Sequence, residues 1–233
     1  MMNAQPVLKV AVLVDGSYFL KRYRICFKTV DGFNPLDANK VAEDLIKMCQ
    51  THVGKDYLYR ILFYDCPPFA GRGHHPISKK AIDFTKTPEY IFRRDLLQEL
   101  KKKRKTALRM GEIHSDWEWK LRHEALKDLI KGVRTVADLT ETDVTLLMKQ
   151  KGVDMKIGVD IAALAYKKLV DKIILIAGDS DFVPAAKIAR REGIDFVLDT
   201  MWNHIHDNLF EHIDGLKSVC SRPVQAKSQS SQD

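Results

Sequence analysis

Four aspartates occupy positions where carboxylates could gather. Asp15 closes the apolar run Val7–Val14, Asp154 follows Lys151-Gly152-Val153, and Asp179 and Asp181 follow the apolar run Lys172–Ala177 in Gly178-Asp179-Ser180-Asp181. If the fold brings them to one edge, their mutual repulsion must be answered. At an effective dielectric of 20, a like-charged pair ~4 Å apart costs about 4 kcal/mol. Either the carboxyl pKa values rise or a hard divalent cation compensates. Oxygen donors without clustered His or Cys favour Mg²⁺ or Mn²⁺ over zinc. Asp160 lies on the same predicted helix as Asp154, about 240° around its axis, and joins the group only if Asp154 precedes the first turn. An aspartate after a strand is also an ordinary helix N-cap. Asp154 and Asp179 each suit that role, whereas Ser180 already offers a cap beside Asp181.

The elements that must position these acids are partly legible. Val7–Val14 and Tyr57–Tyr64 are rich in β-branched and aromatic residues and predict buried strands, the second stopped by Pro67-Pro68. A helix is predicted from near Ser17, another over Val41–Cys49 after Pro35 and Asp37, and a third after Pro88. Residues 66–86 predict an irregular loop. Further on, the pattern predicts strands at Ala107–Ile113 and Val144–Met148, and helices at Trp119–Ile130 and Asp154–Leu169. Then come a strand at Lys172–Ala177, a helix at Ser180–Arg191, a strand at Ile194–Leu198 and a helix at His204–Leu216. Such alternation implies an α/β fold, a doubly wound, mostly parallel sheet flanked by helices. Ligands bind such sheets beyond the carboxyl ends of the strands, where the acids stand.

Composition narrows the class of protein. Of 233 residues, 45% are hydrophobic and 30% charged, enough apolar material for a real core. The expected organisation is a single domain over 1–220 with an insertion at about 66–135, and a disordered Ser/Gln-rich tail over 221–233. No apolar run reaches the ~20 residues of a membrane helix, and no secretory signal is evident. Four scattered cysteines, Cys26, Cys49, Cys66 and Cys220, fit reduced thiols and a cytoplasmic location.

Net charge is +7, yet residues 66–135 hold 17 Lys and Arg against 9 Asp and Glu, while the rest of the chain holds 21 against 22. A local basic excess favours a polyanionic partner. Arg72, Arg93, Arg94, the run Lys101, Lys102, Lys103, Arg104 and Lys105, and Lys151 are the candidate phosphate contacts. A basic run at a helix end also suits the helix dipole. Tyr90, Phe92, Trp117 and Trp119 are candidates to stack on bases, or core residues.

Several rival sites are excluded. There is no G-x-G-x-x-G after the first strand, no P-loop and no G-x-S-x-G. A haloacid-dehalogenase site needs a second Asp where Ser17 stands and an acid where Val183 and Pro184 stand. His204, His206 and His212 lack zinc-site spacing.

The motifs Asp15-Gly16-Ser17, Lys151-Gly152-Val153-Asp154 with Asp160, and Gly178-Asp179-Ser180-Asp181-Phe182 with Pro184 resemble the NYN domain, in the LabA-like branch of the PIN-like nucleases. The similarity extends through Arg190, Gly193, Leu209, Glu211 and His212 and is poor over 66–135. The resemblance implies a PIN-like, Rossmann-like sheet, an acidic Mg²⁺ or Mn²⁺ pocket and phosphodiester cleavage, usually of RNA. Asp15, Asp154, Asp179 and Asp181 match the family's metal-coordinating acids, and Asp160 its additional helix acid. Tyr18 departs from the Asn of many members, a residue thought to position substrate or a ligand water.

The expected function is a metal-dependent ribonuclease acting on single-stranded RNA. A catalytically weak RNA-binding protein and a metal-dependent phosphatase are the alternatives. A homodimer stays open, and no membrane partner is expected.

Overall fold

The computed structural model describes residues 6–27 and 37–223. Strand β1 (Lys9–Asp15) is buried on both faces from Val10 to Val14, as a near-continuous β-branched run in a parallel sheet should be. Helix α1 (Gly16–Cys26) starts directly from it, capped by the Asp15 side chain. Helix α2 (Ala38–Val53), capped by Asp37, leads to strand β2 (Tyr57–Asp65). A small hairpin, β3 (Arg72–His74) and β4 (Ala81–Asp83), precedes helix α3 (Pro88–Lys102) and strand β5 (Thr106–Met110). Strand β6 (Glu112–Leu121), helix α4 (His123–Ile130) and strand β7 (Val144–Lys151) form an arm. The chain then alternates: α5 (Val153–Tyr166), β8 (Lys172–Ile176), α6 (Val183–Arg191), β9 (Asp195–Asp199), a single-turn α7 (Asp207–Phe210) and β10 (Gly215–Leu216).

The central sheet has six strands, all parallel, in the order β10-β9-β8-β1-β2-β5. Strand side chains alternate between two cores. Val10, Val12 and Val14 pack with residues of α1, α2 and α3, whereas Ala11 and Leu13 pack with residues of α5 and α6. The winding reverses between β1 and β8: from β1 the chain proceeds outward through β2 and β5, then returns to build β8, β9 and β10 on the other side. That reversal opens a crevice beyond the carboxyl ends of β1 and β8.

Three differences from the sequence reading have physical causes. Segment 66–135 is not one insertion. It contributes α3, whose Phe92, Leu96, Leu97 and Leu100 are buried, and the edge strand β5 to the main body. What stands off the sheet is the β3–β4 hairpin and the arm from Glu112 to Lys151. A charge count does not register the apolar stripe of α3. Second, the helix predicted over Trp119–Ile130 starts only at His123, because Trp119 and Leu121 pair across the ladder with Leu146 and Val144. Third, the predicted helix over His204–Leu216 is reduced to α7, since Gly215 and Leu216 pair with Val197 and Leu198 as β10. The Ser/Gln-rich tail from residue 224 onward and Pro35 lie outside the described residues. The four cysteines are buried free thiols. No described helix is long and apolar enough to cross a membrane.

Candidate active site

Asp15 is the last residue of the central strand, half-buried at the crevice. Its Oδ1 accepts from the Tyr18 backbone N–H at 3.1 Å, so the side chain is fixed as the cap of α1. Gly16 must follow it: a Cβ there would lie 2.7 Å from the Phe63 ring and from the Tyr64 carbonyl oxygen. Only glycine lets α1 start so close to the end of β2. Burial above all, with the charges of Asp154 and Asp65, pushes the Asp15 carboxyl up to about 6 against the opposing hydrogen bond from the Tyr18 N–H.

Asp154 is reached through Gly152, whose φ of 80° turns the chain from β7 into α5. It sits in the first turn of α5, exposed, and its carboxyl is raised by burial of part of the side chain and then by the charges of Asp179 and Asp181. Asp179 caps the short turn after β8, accepting from the Asp181 N–H at 3.0 Å. Asp154 thus stands between the other acids electrostatically: its charge raises Asp15, and the charges of Asp179 and Asp181 raise it. Among the described residues, however, no three His, Cys, Asp or Glu side chains are gathered closely enough to hold a metal ion as they stand.

Asp160 is elsewhere. Its carboxylate accepts from Arg109 Nε at 2.8 Å, from Arg109 Nη2 at 2.6 Å and from the Tyr64 hydroxyl at 2.8 Å. It ties α5 to β5 and β2 instead of joining the other acids, as expected for a residue about 240° around the helix from Asp154.

A sequence profile described as NYN domain matches residues 9–211. The chain belongs to the NYN family. No functionally curated protein shows significant similarity to it. A solved structure of a protein of unknown function from Vibrio parahaemolyticus is similar at 14% identity, covering 95% of this chain and 99% of that one with a TM-score of 0.46. NYN domains belong to the PIN-like nuclease superfamily, whose members are generally hydrolases that use divalent metals.

In this NYN domain the sequence reading overlooked Asp65. It ends β2, one strand over from Asp15, and is 2% exposed. Its carboxylate receives the Arg93 guanidinium and the Cys66 N–H, the latter at 2.8 Å, yet burial still raises its pKa. Its position after an apolar strand, like that of Asp15, was the available signal. Arg93, read as a phosphate contact, is therefore committed to Asp65 within the protein.

The other basic candidates are scattered. Arg72 is exposed and 3.6 Å from Asp83, and Arg94 pairs with its neighbour Asp95 at 2.8 Å. Lys101 and Lys102 end α3 and Lys103 to Lys105 lead into the start of β5, whereas the acids lie at the strand ends. Lys105 donates to the Leu58 carbonyl and covers the Tyr57 ring at 3.7 Å, both at the start of β2. This basic run is thus on the opposite edge of the sheet from Asp15. Lys151, exposed and three residues before Asp154, is on the acidic side.

Tyr18 closes one flank of the crevice. Its hydroxyl donates to the Thr200 carbonyl at 2.7 Å, burial raises its pKa to about 12, and its ring lies so close to Gly178 that a Cβ there would collide with it. The bulkier residue is accommodated by the glycine that opens the Gly178-Asp179 motif.

Proposed function

We propose that this protein is a metal-dependent ribonuclease of the LabA-like kind, hydrolysing phosphodiester bonds in single-stranded RNA. The observation that supports this reading most directly is the placement of Asp15 and Asp179 after neighbouring parallel strands at the reversal point of the sheet, with Asp154 influencing Asp15 and influenced in turn by Asp179 and Asp181, and the Asp15 carboxyl raised to about 6 by burial and neighbouring charge. The donor set fits Mg²⁺ or Mn²⁺: oxygen only, and loosely spaced. Mg²⁺ keeps several waters and is commonly held by one or two carboxylates together with substrate phosphate, so a closed cage is not required beforehand. Asp15 and Asp154 would hold it, with Asp179 and Asp181 adding negative charge.

A cation so held supplies water activation and offsets charge on the phosphate. The protein's own groups do the rest. The Tyr18 N–H fixes the Asp15 carboxylate, Arg93 holds Asp65 in place behind it, and Lys151 offers a cation to the RNA backbone. Tyr18 in place of Asn favours a second reading, an RNA-binding protein without turnover, because its ring occupies the flank beside Gly178.

End-labelled single-stranded RNA incubated with Mn²⁺, Mg²⁺ or EDTA separates these readings. Metal-dependent cleavage that drops on the order of a hundredfold or more in Asp15→Asn supports the ribonuclease. Cleavage at the wild-type rate by a clean Asp15→Asn preparation refutes it. Binding in EDTA with no cleavage under any condition supports the second reading.

A further inference from the structure

A cavity of about 310 Å³ lies between the segment after β2, the start of α3 and the arm. Phe69, Phe84, Tyr90, Ile113, Leu146 and Met148 give it a largely apolar, aromatic lining. The aromatic wall is built, not incidental. Phe69 and Phe84 pack with ring centroids 5.2 Å apart, and Trp117 backs both at 5.9 and 6.1 Å. Trp117 in turn fits against Gly73, where a Cβ would lie 2.7 Å from the ring. These rings are held in place before any ligand arrives.

The cavity adjoins the acidic crevice through two of its own lining residues. Arg93 reaches from it to Asp65, whose charge Asp15 feels. Gln150 reaches from it to Ser17, accepting from the hydroxyl at 3.0 Å, two residues from Asp15. Two lining side chains therefore touch residues beside the acids, Ser17 next to Gly16 and Asp65 at the end of β2.

We propose that this cavity binds a nucleobase of the RNA, stacked on its aromatic wall, and so sets where the strand lies against the acids. Its volume is at the small end of the ~300–1,000 Å³ range of ligand pockets, suited to a single ring system. Every base offers a π face to such a wall, and unstacked bases of single-stranded RNA are what proteins capture in this way. The Gln150 amide nitrogen is a donor suited to a base edge. The inference rests on the ribonuclease reading for the identity of the polymer.

The test uses the full chain and a fluorescent single-stranded RNA in EDTA, beside a copy of that RNA with abasic sugars. Tyr90→Ala and Met148→Ala are the variants, since Tyr90 is half-buried and Met148 exposed, with thermal unfolding confirming their fold. Methyl NMR of Met148 with adenosine and uridine monophosphates gives a readout independent of RNA. Intact RNA is expected to bind wild type about ten- to a hundredfold tighter than abasic RNA, a preference that Tyr90→Ala loses. KM for cleavage should rise by a similar factor in that variant. If RNA is cut with metal but abasic and intact strands bind alike, the cavity is not a base site and the ribonuclease reading survives. If RNA is neither bound nor cut while the monophosphates shift the Met148 methyl in wild type and not in Tyr90→Ala, the base site stands and the ribonuclease reading falls. Silence in both readouts overturns both.

Discussion

Asp15 is held in the folded state under a charge penalty. Its carboxyl titrates near 6 when folded, against 3.8 unperturbed, so the folded state binds the extra proton between those values. Stability conferred by the neutral acid is present below about pH 4 and is lost as pH rises through about 6. A shift of this size corresponds to roughly 2–3 kcal/mol. Asp15→Asn keeps the cap on α1, because Asn caps as well as Asp. In EDTA at pH 7.5 that variant is expected to unfold about 5 °C or more above wild type, and at pH 4 to match it. Equal melting at pH 7.5 would show that Asp15 bears no such penalty. Asp65 is also raised by burial but has a cationic partner. Arg93→Met leaves its buried carboxylate unpaired and should cost about 3–5 kcal/mol in urea unfolding, whereas Asp65→Asn should cost clearly less.

At the scale of elements, the site depends on close approaches between a helix start and a strand end. The Tyr18 ring on α1 lies against Gly178 after β8, so an added methyl has nowhere to go. Gly178→Ala should destabilise by about 1–3 kcal/mol through overpacking. Shortening the ring should relieve that cost: Tyr18→Asn with Gly178→Ala is expected to be more stable than the sum of the single changes predicts. Additive unfolding free energies would show that the two residues do not compete for space. Elsewhere α2 is pinned to the end of β9 by a buried His52–Asp199 contact of 2.7 Å, with Asp199 also accepting from the Met201 N–H. That pair gives the last loop of the crevice a fixed anchor.

Across the whole molecule, the basic residues divide by sheet edge. Strand β5 separates Lys105 from Met110 by about 16 Å of rise, more than the ~8 Å Debye length at physiological salt. Reversing Lys101, Lys102 and Arg104 to Glu should therefore change cleavage of a short RNA by less than threefold. Reversing Lys149 and Lys151, at the root of the arm beside Asp154, should weaken binding about tenfold or more and flatten its salt dependence. Comparable losses from both sets would mean that RNA wraps around the β5 edge.

The order of acids, the strand–helix alternation and the parallel class were all present in the sequence. They depend on local matters: a β-branched run long enough to be buried, a glycine after an acid, and a cap before a helix. Asp15, Asp154, Asp179 and Asp181 were legible because each lies next to such a run or turn. Which acids face one another was decided by tertiary structure. Asp160 turned to Arg109 because of its place around α5, and Asp65 joined because β2 pairs beside β1. The same holds for charge. A basic excess can be counted along the chain, but the strand direction of β5 put its densest run at the far edge of the sheet. The apolar cavity needed three segments distant in sequence, so no local pattern could announce it.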